Sequence, residues 1–144
     1  MPEPQNFQNH TRYHAPFHFV FAPLAFILLI WSIVNLVRDP GADELRWLIA
    51  SFLFLVVGVI ARTSALKAQD RVIRLEENLR YQRILSPELV KKSEALTSGQ
   101  IVSLRFASDA ELPELMQQTL DGKFAKGKDI KMAIKNWRGD YLRV

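Results

Sequence analysis

Two long apolar runs shape the first part of the chain. The first, "FVFAPLAFILLIWSIVNLV" from Phe19 to Val37, holds 19 residues without a formal charge. As a helix rising ~1.5 Å per residue it would measure about 28 Å, close to the thickness of a bilayer's hydrocarbon core. Pro23 is expected to kink it near its start. Ser32 and Asn35 are expected to face a neighbouring helix, because lipid offers them no hydrogen bonds. The second run, "LRWLIASFLFLVVGVIA", spans Leu45–Ala61. Between the two lies "RDPGADEL", where Asp39-Pro40-Gly41 ends one helix and Ala42 or Asp43 begins the next. So short a connection predicts an antiparallel hairpin of two spans, at about 17–37 and 45–61.

Beyond Ala61 the pattern changes without a break. No Pro or Gly interrupts the chain up to Leu85, so the second helix is expected to continue out of the bilayer. Exposed ion pairs Asp70–Arg74 and Glu76–Arg80 are expected along it. Its apolar stripe repeats at alternating spacings of four and three. Ala65, Val72 and Leu79 take one heptad position, and Ala61, Ala68, Leu75 and Gln82 the other. In a parallel pair of chains Arg71 would lie opposite Glu76, and Gly58 would carry the small-residue seam back into the membrane. The stripe has two readings. Packing onto the chain's own later helices is the commoner use of so alanine-rich a seam, and pairing with a second chain is the other.

Short helical segments follow. Ser86-Pro87 is a cap followed by a first-turn proline, opening a helix over Pro87–Leu96. Thr97–Gln100 reads as a capping box for a helix carrying Ile101, Leu104 and Phe106, and Ser108–Glu111 as a second box opening Asp109–Leu120. Gly122 can stop that helix. A last helix is expected over about Asp129–Trp137, with Ile130, Ala133, Ile134 and Trp137 on an apolar face. Lys128, Lys131, Lys135 and Arg138 would then form a basic face, either merely solvated or docking anionic lipid or an acidic partner. No stretch alternates long enough for a strand.

The fold class is therefore all-α: a two-span transmembrane hairpin, a long cytoplasmic continuation of the second span, and a small cluster of short helices. The expected divisions are a polar tail over 1–15, the hairpin over 16–61, a juxtamembrane helix over 62–85 and a cytoplasmic module over 86–144.

Charge refines this picture. Of the 19 Lys and Arg and 15 Asp and Glu residues, sixteen basic and eleven acidic ones fall in 62–144. Arg62, Lys67, Arg71 and Arg74 crowd directly behind the second span, whereas the hairpin turn carries two basic and three acidic residues. The positive-inside rule then places both termini in the cytoplasm. Before the first run stands one basic residue, Arg12, and no A-x-A site ends it, so a retained anchor is expected rather than a cleaved leader.

Candidate chemistry is thin. With no cysteine, disulfides, thiolate metal sites and cysteine nucleophiles are excluded. His10, His14 and His18 are four apart, but Pro16 opposes the helix that would align them. Glu76/Glu77 and Glu111/Glu114 read as solvated salt-bridge partners. No phosphate loop, nucleophile elbow or H-E-x-x-H is present, and Arg138-Gly139-Asp140 is a chance tripeptide. No catalytic residue, cofactor or metal is expected.

The segments "LRFASDAEL" and "KDIKMAIKNWRGDYLRV", placed after two spans, resemble an uncharacterised bacterial family of small two-span membrane proteins, a domain of unknown function. The resemblance implies the same two spans and helical C-terminal part, in a bacterial cytoplasmic membrane. It brings no activity to transfer. The expected function is that of a non-enzymatic, membrane-anchored interaction protein, an accessory subunit or self-associating scaffold whose partners are the bilayer and another membrane protein or a second copy. The alternatives are a membrane-tethered nucleic-acid binder, for which the loop between the last two helices is too long, and a component of an enzyme or transporter completed by partner chains.

Overall fold

The computed structural model describes residues 4–11 and 13–141. Met1 and Val144 lie outside the described residues, and so does Arg12, on which the reading of the N-terminus drew. A π-helical turn over Pro16–Phe21 leads into α1 (Ala22–Arg38), followed by α2 (Ala42–Ile84), α3 (Pro87–Ser93), α4 (Ser98–Leu104), α5 (Leu112–Leu120) and α6 (Gly127–Ala133). The described residues form no strand. Two stretches, Pro16–Arg38 and Ala42–Ile84, are long and apolar enough to cross a membrane.

The chain divides into two compact units, one covering Arg12–Lys67 and the other Ala68–Val144 together with Met1–Thr11. The division falls within the 43-residue helix α2.

In the first unit the helix opens with a widened turn. Pro23 has no N–H, and its ring crowds the carbonyl one turn back. Just ahead of it the Ala22 N–H reaches Phe17 O, a five-residue step that marks the π-turn. The Phe21 ring sits directly on Gly58, where any Cβ would clash with the ring's edge. The Arg62 guanidinium lies 6.0 Å from the Phe17 ring. As the partner on one helix rises from 17 to 21, its counterpart on the other falls from 62 to 58, so α1 and the start of α2 run antiparallel. Small residues fill this contact. Ala25, Ser32 and Ser51 are buried, and the two serines donate to the carbonyls of Leu28 and Leu48 at 2.9 Å. Asn35 is exposed, contrary to expectation, and only Ser32 is turned inward. Because Phe21 occupies Gly58, that glycine does not extend an intermolecular seam.

The second unit has the larger core. Tyr81 of α2 and Leu85 just beyond its end pack with Leu96, Ile101, Leu104, Phe106, Leu112, Met116 and Ile130, all buried. The capping box at Thr97 forms as expected, with Gln100 N to Thr97 Oγ1 at 3.3 Å and Thr97 N to Gln100 Oε1 at 2.8 Å. Gly122 ends α5 at φ 78°, a left-handed conformation that favours glycine. Gly127 allows α6 to cross close to α4, because a Cβ there would meet Ser103 Oγ and lie 3.2 Å from Gly99 O.

Two expected helices are corrected. The second capping box does not form as such. Ser108 Oγ accepts from Glu111 N at 3.4 Å, but Asp109 turns to Arg80 and the Glu111 carboxylate accepts from Asn136 N and Nδ2 at 3.0 and 3.1 Å. The helix consequently begins at Leu112. The last helix ends at Ala133 rather than Trp137. Ile134 is already extended, and Trp137 makes an antiparallel bridge with Ala107, sealed by Arg138 N to Phe106 O at 2.7 Å and Ser108 N to Asn136 O at 3.1 Å. Pairing with that strand-like neighbour satisfies backbone groups that another helical turn would otherwise have satisfied.

Candidate interaction surface

Within the second unit, α2 presents two opposite faces. At 3.6 residues per turn, Ile73, Glu77, Arg80, Tyr81 and Ile84 share one side, and Ala68, Val72, Leu75, Leu79 and Gln82 lie about half a turn away. The first side is the one that packs. Ile73, Glu77, Arg80 and Tyr81 are each at most 5% exposed.

Charge is part of that buried side. Arg80 donates from Nε to Asp109 Oδ1 at 2.8 Å, from Nη1 to Glu77 Oε2 at 3.1 Å and from Nη2 to Ala107 O at 2.7 Å. The other Glu77 oxygen accepts from Arg138 Nη1 at 3.1 Å. Two expectations are corrected here. Arg80 turns inward to Glu77 and Asp109 rather than pairing with Glu76 on the surface, and Glu77 is a buried ion-pair partner, not a solvated one. Beside them, burial pushes the Tyr81 phenol well above the ordinary tyrosine value, helped by the nearby Glu77 carboxylate and opposed by Arg80. The Tyr81 hydroxyl has no hydrogen-bond partner among the described residues.

A cleft of about 540 Å³ opens next to this network, lined by four arginines (Arg80, Arg83, Arg105, Arg138) and by Glu76, Glu77 and Asp140. Arg105 Nε stands 2.9 Å from Asp140 Oδ2. The cleft's buried charges thus face one another, and their geometry accounts for them as internal braces.

The second side of α2 is the heptad stripe. Val72, Leu75 and Leu79 are 54%, 61% and 53% exposed, and Ala68 and Gln82 are exposed beside them. In the first unit Ala61 and Ala65 are exposed as well. Among the described residues, packing of this stripe on the chain's own helices, the commoner of the two uses, does not occur; the opposite side of α2 packs instead. Arg71 and Glu76, which flank the stripe, are both exposed.

The four basic residues of the last segment do not share one helical face. Lys128 and Lys131 stand on α6, while Lys135 and Arg138 lie beyond its end. Lys131 is half-buried, its Nζ 5.6 Å above the Phe106 ring and 3.3 Å from His10 Nε2, and Arg138 is held by Glu77. Lys128 and Lys135 remain exposed. The histidines are also separated. His10 belongs to the second unit, His14 and His18 to the first, and the described residues contain no group of three His, Cys, Asp or Glu able to hold a metal. α5 and α6 are divided by residues 121–126, longer than the turn of a helix-turn-helix.

One feature of the site had no signal in periodicity: the docked N-terminal segment. Gln5 forms two hydrogen bonds with the backbone of Asp140, Nε2 to O at 3.1 Å and N to Oε1 at 2.9 Å. The only hint lay in the aromatic and amide residues of an otherwise polar tail.

These features define a class: an all-helical protein with two apolar helices of bilayer-crossing length, a compact helical unit, and a heptad face left open on the helix that joins the two. The chain belongs to the Family of unknown function (DUF6526), whose model matches residues 1–144. No curated protein matches the chain. No solved structure matches it either.

Proposed function

We propose that this is a non-enzymatic, self-associating scaffold of a bacterial cytoplasmic membrane, anchored by two spans and paired with a second copy through the heptad face of α2. The observation that carries the reading is the exposure of Val72, Leu75 and Leu79 on a helix whose other side is fully used. Heptad spacing fits a helix of the same kind, and a parallel copy brings Arg71 of each chain against Glu76 of the other, a complementary flank. Alanines at Ala61, Ala65 and Ala68 permit close approach of two helices near the membrane.

Membrane anchoring is supported by the two apolar helices, of whose most apolar windows only 11% and 6% is buried. A core helix of a water-soluble protein would be mostly covered. The basic cluster behind the second span supports a cytoplasmic C-terminal part. Docking of Gln5 on Asp140 supports an N-terminal tail on that same side. Lys128 and Lys135 are free to meet anionic headgroups, a smaller basic surface than the sequence suggested.

The test is the mass of the full chain in mild detergent, native and with Val72→Asp and Leu79→Asp together. Because both side chains are exposed, the variant is expected to keep its helical content and fall from dimer to monomer. A native chain that is monomeric across micromolar concentrations, or a variant that remains dimeric, removes the seam.

A further inference from the structure

The side of α1 turned away from the buried Ala25 and Ser32 carries a groove of about 370 Å³, lined by Ile27, Ile30, Trp31, Val34, Asn35 and Arg38. At 3.6 residues per turn these positions share one face of the helix. Four of them are apolar, and all are exposed. From Ile27 to Arg38 the face is roughly 16 Å long at ~1.5 Å per residue, about half of the ~30 Å hydrocarbon core. The groove therefore has the length of one leaflet, with its apolar end at mid-span and its polar end at the hairpin turn.

The polar end offers donors. Arg38 carries a fork of guanidinium N–H groups and Asn35, one turn earlier, an amide NH₂. Neither side chain has a hydrogen-bond or ion-pair partner among the described residues, and Arg38 does not pair even with the neighbouring Asp39. Hydrocarbon satisfies neither group, so the occupant of the groove must bring acceptors to this end and apolar atoms to the other. A second copy of the chain fails that requirement: seated symmetrically and parallel, it would bring the Arg38 guanidinium groups of both chains together. A phospholipid meets it. Its phosphate and ester oxygens accept, its acyl chain is apolar over the depth of one leaflet, and a guanidinium matches phosphate with two parallel hydrogen bonds.

We propose that this groove is a binding site for a single phospholipid of the leaflet on the hairpin-turn side. Arg38 holds the phosphate, the Asn35 amide an ester carbonyl, and one acyl chain lies along Val34, Trp31, Ile30 and Ile27. The site rests on the two-span anchoring proposed above and is independent of the α2 seam, which lies on the other helix.

The test takes the full chain from membranes into mild detergent and counts bound phospholipid by native mass spectrometry. One phospholipid per chain is expected on the native protein. Arg38→Gln is expected to retain it roughly tenfold more weakly, the order of effect of losing a hydrogen bond to a charged group. Both Arg38 and Val34 are exposed, so their variants should fold as the native chain does. Val34→Trp, which fills the groove and leaves the charges alone, is expected to lose the lipid as well. Arg46→Gln removes a cation from the same side of the hairpin, one already paired with Asp43, and is expected to keep it. A native chain without bound phospholipid overturns the proposal. So does native-like retention in Arg38→Gln or Val34→Trp, or a loss in Arg46→Gln equal to that in Arg38→Gln. Washing the membranes at high pH separates this from a failure of the anchoring. A native chain that washes off removes the anchoring and the site together, whereas one that stays but holds no phospholipid removes the site alone.

Discussion

Replacing Arg80 with alanine probes the brace between α2 and the rest of the C-terminal unit. Of the four charged groups in the network, two are out of water. The Arg80 and Glu77 side chains are 4% and 5% exposed, against 66% for Asp109 and 54% for Arg138. Removing one partner of a buried pair typically costs about 3–5 kcal/mol, because the other charge stays behind uncompensated. Here Glu77 would keep Arg138 on one oxygen, which places the loss near the low end, about 3 kcal/mol, with the Ala107 carbonyl also losing its donor. Asp109→Asn should cost no more than about 1 kcal/mol, since its carboxylate is well solvated. Joint replacement, Arg80→Met with Glu77→Leu, should recover much of the loss, because a matched apolar pair leaves no buried charge. The assay is denaturant unfolding of the full chain in detergent, followed by Trp137 fluorescence with Trp31 and Trp47 replaced by Phe. An Arg80→Ala effect below about 1 kcal/mol, or equal to that of Asp109→Asn, would refute the claim that burial gives this network its weight.

Two further outcomes are expected. The Tyr81 phenol is raised in the folded state, so its contribution to stability is complete below the ordinary tyrosine value of 10.0 and is lost as pH rises above it. Its phenolate absorbance, taken as native minus Tyr81→Phe, should appear only as the chain unfolds; appearance near pH 10 in the folded chain would contradict the burial argument. A reporter fused at Gly41 should lie on the opposite side of the membrane from one fused after the C-terminal unit, and a shared side would sink the two-span topology.

Much of the fold was legible because it rests on local rules. Continuous apolar runs, the Asp39-Pro40-Gly41 break, the Thr97 box and Gly122 each act over a few residues. What escaped depends on partners far along the chain. Glu77 and Arg80 have the spacing of a surface ion pair, and only their burial against Asp109 and the Ala107 carbonyl shows them to be a core element. With those charges on the packed side, the more apolar stripe of Val72, Leu75 and Leu79 looked like the side that packs, and the faces were reversed. Likewise, the spacing of Lys128, Lys131, Lys135 and Arg138 suited a helix, but Trp137 found a backbone partner in Ala107. Close approach at Gly58 could be suspected from the glycine, but its occupant, Phe21, could not be read from spacing.

The hydrogen bonds between Gln5 and Asp140 join residues 135 apart. At a synthesis rate of about 5–20 residues per second, the tail leaves the ribosome roughly ten seconds before its partner exists. Both apolar helices are made in that interval, and the tail must stay unengaged until then. The contact is thus among the last the chain can complete, and it closes a loop containing nearly everything else. On the proposed two-span topology, a chain whose tail stayed on the other side of the membrane could never close it. Under that proposal, the same two hydrogen bonds that hold a polar tail in place would separate correctly inserted chains from misinserted ones.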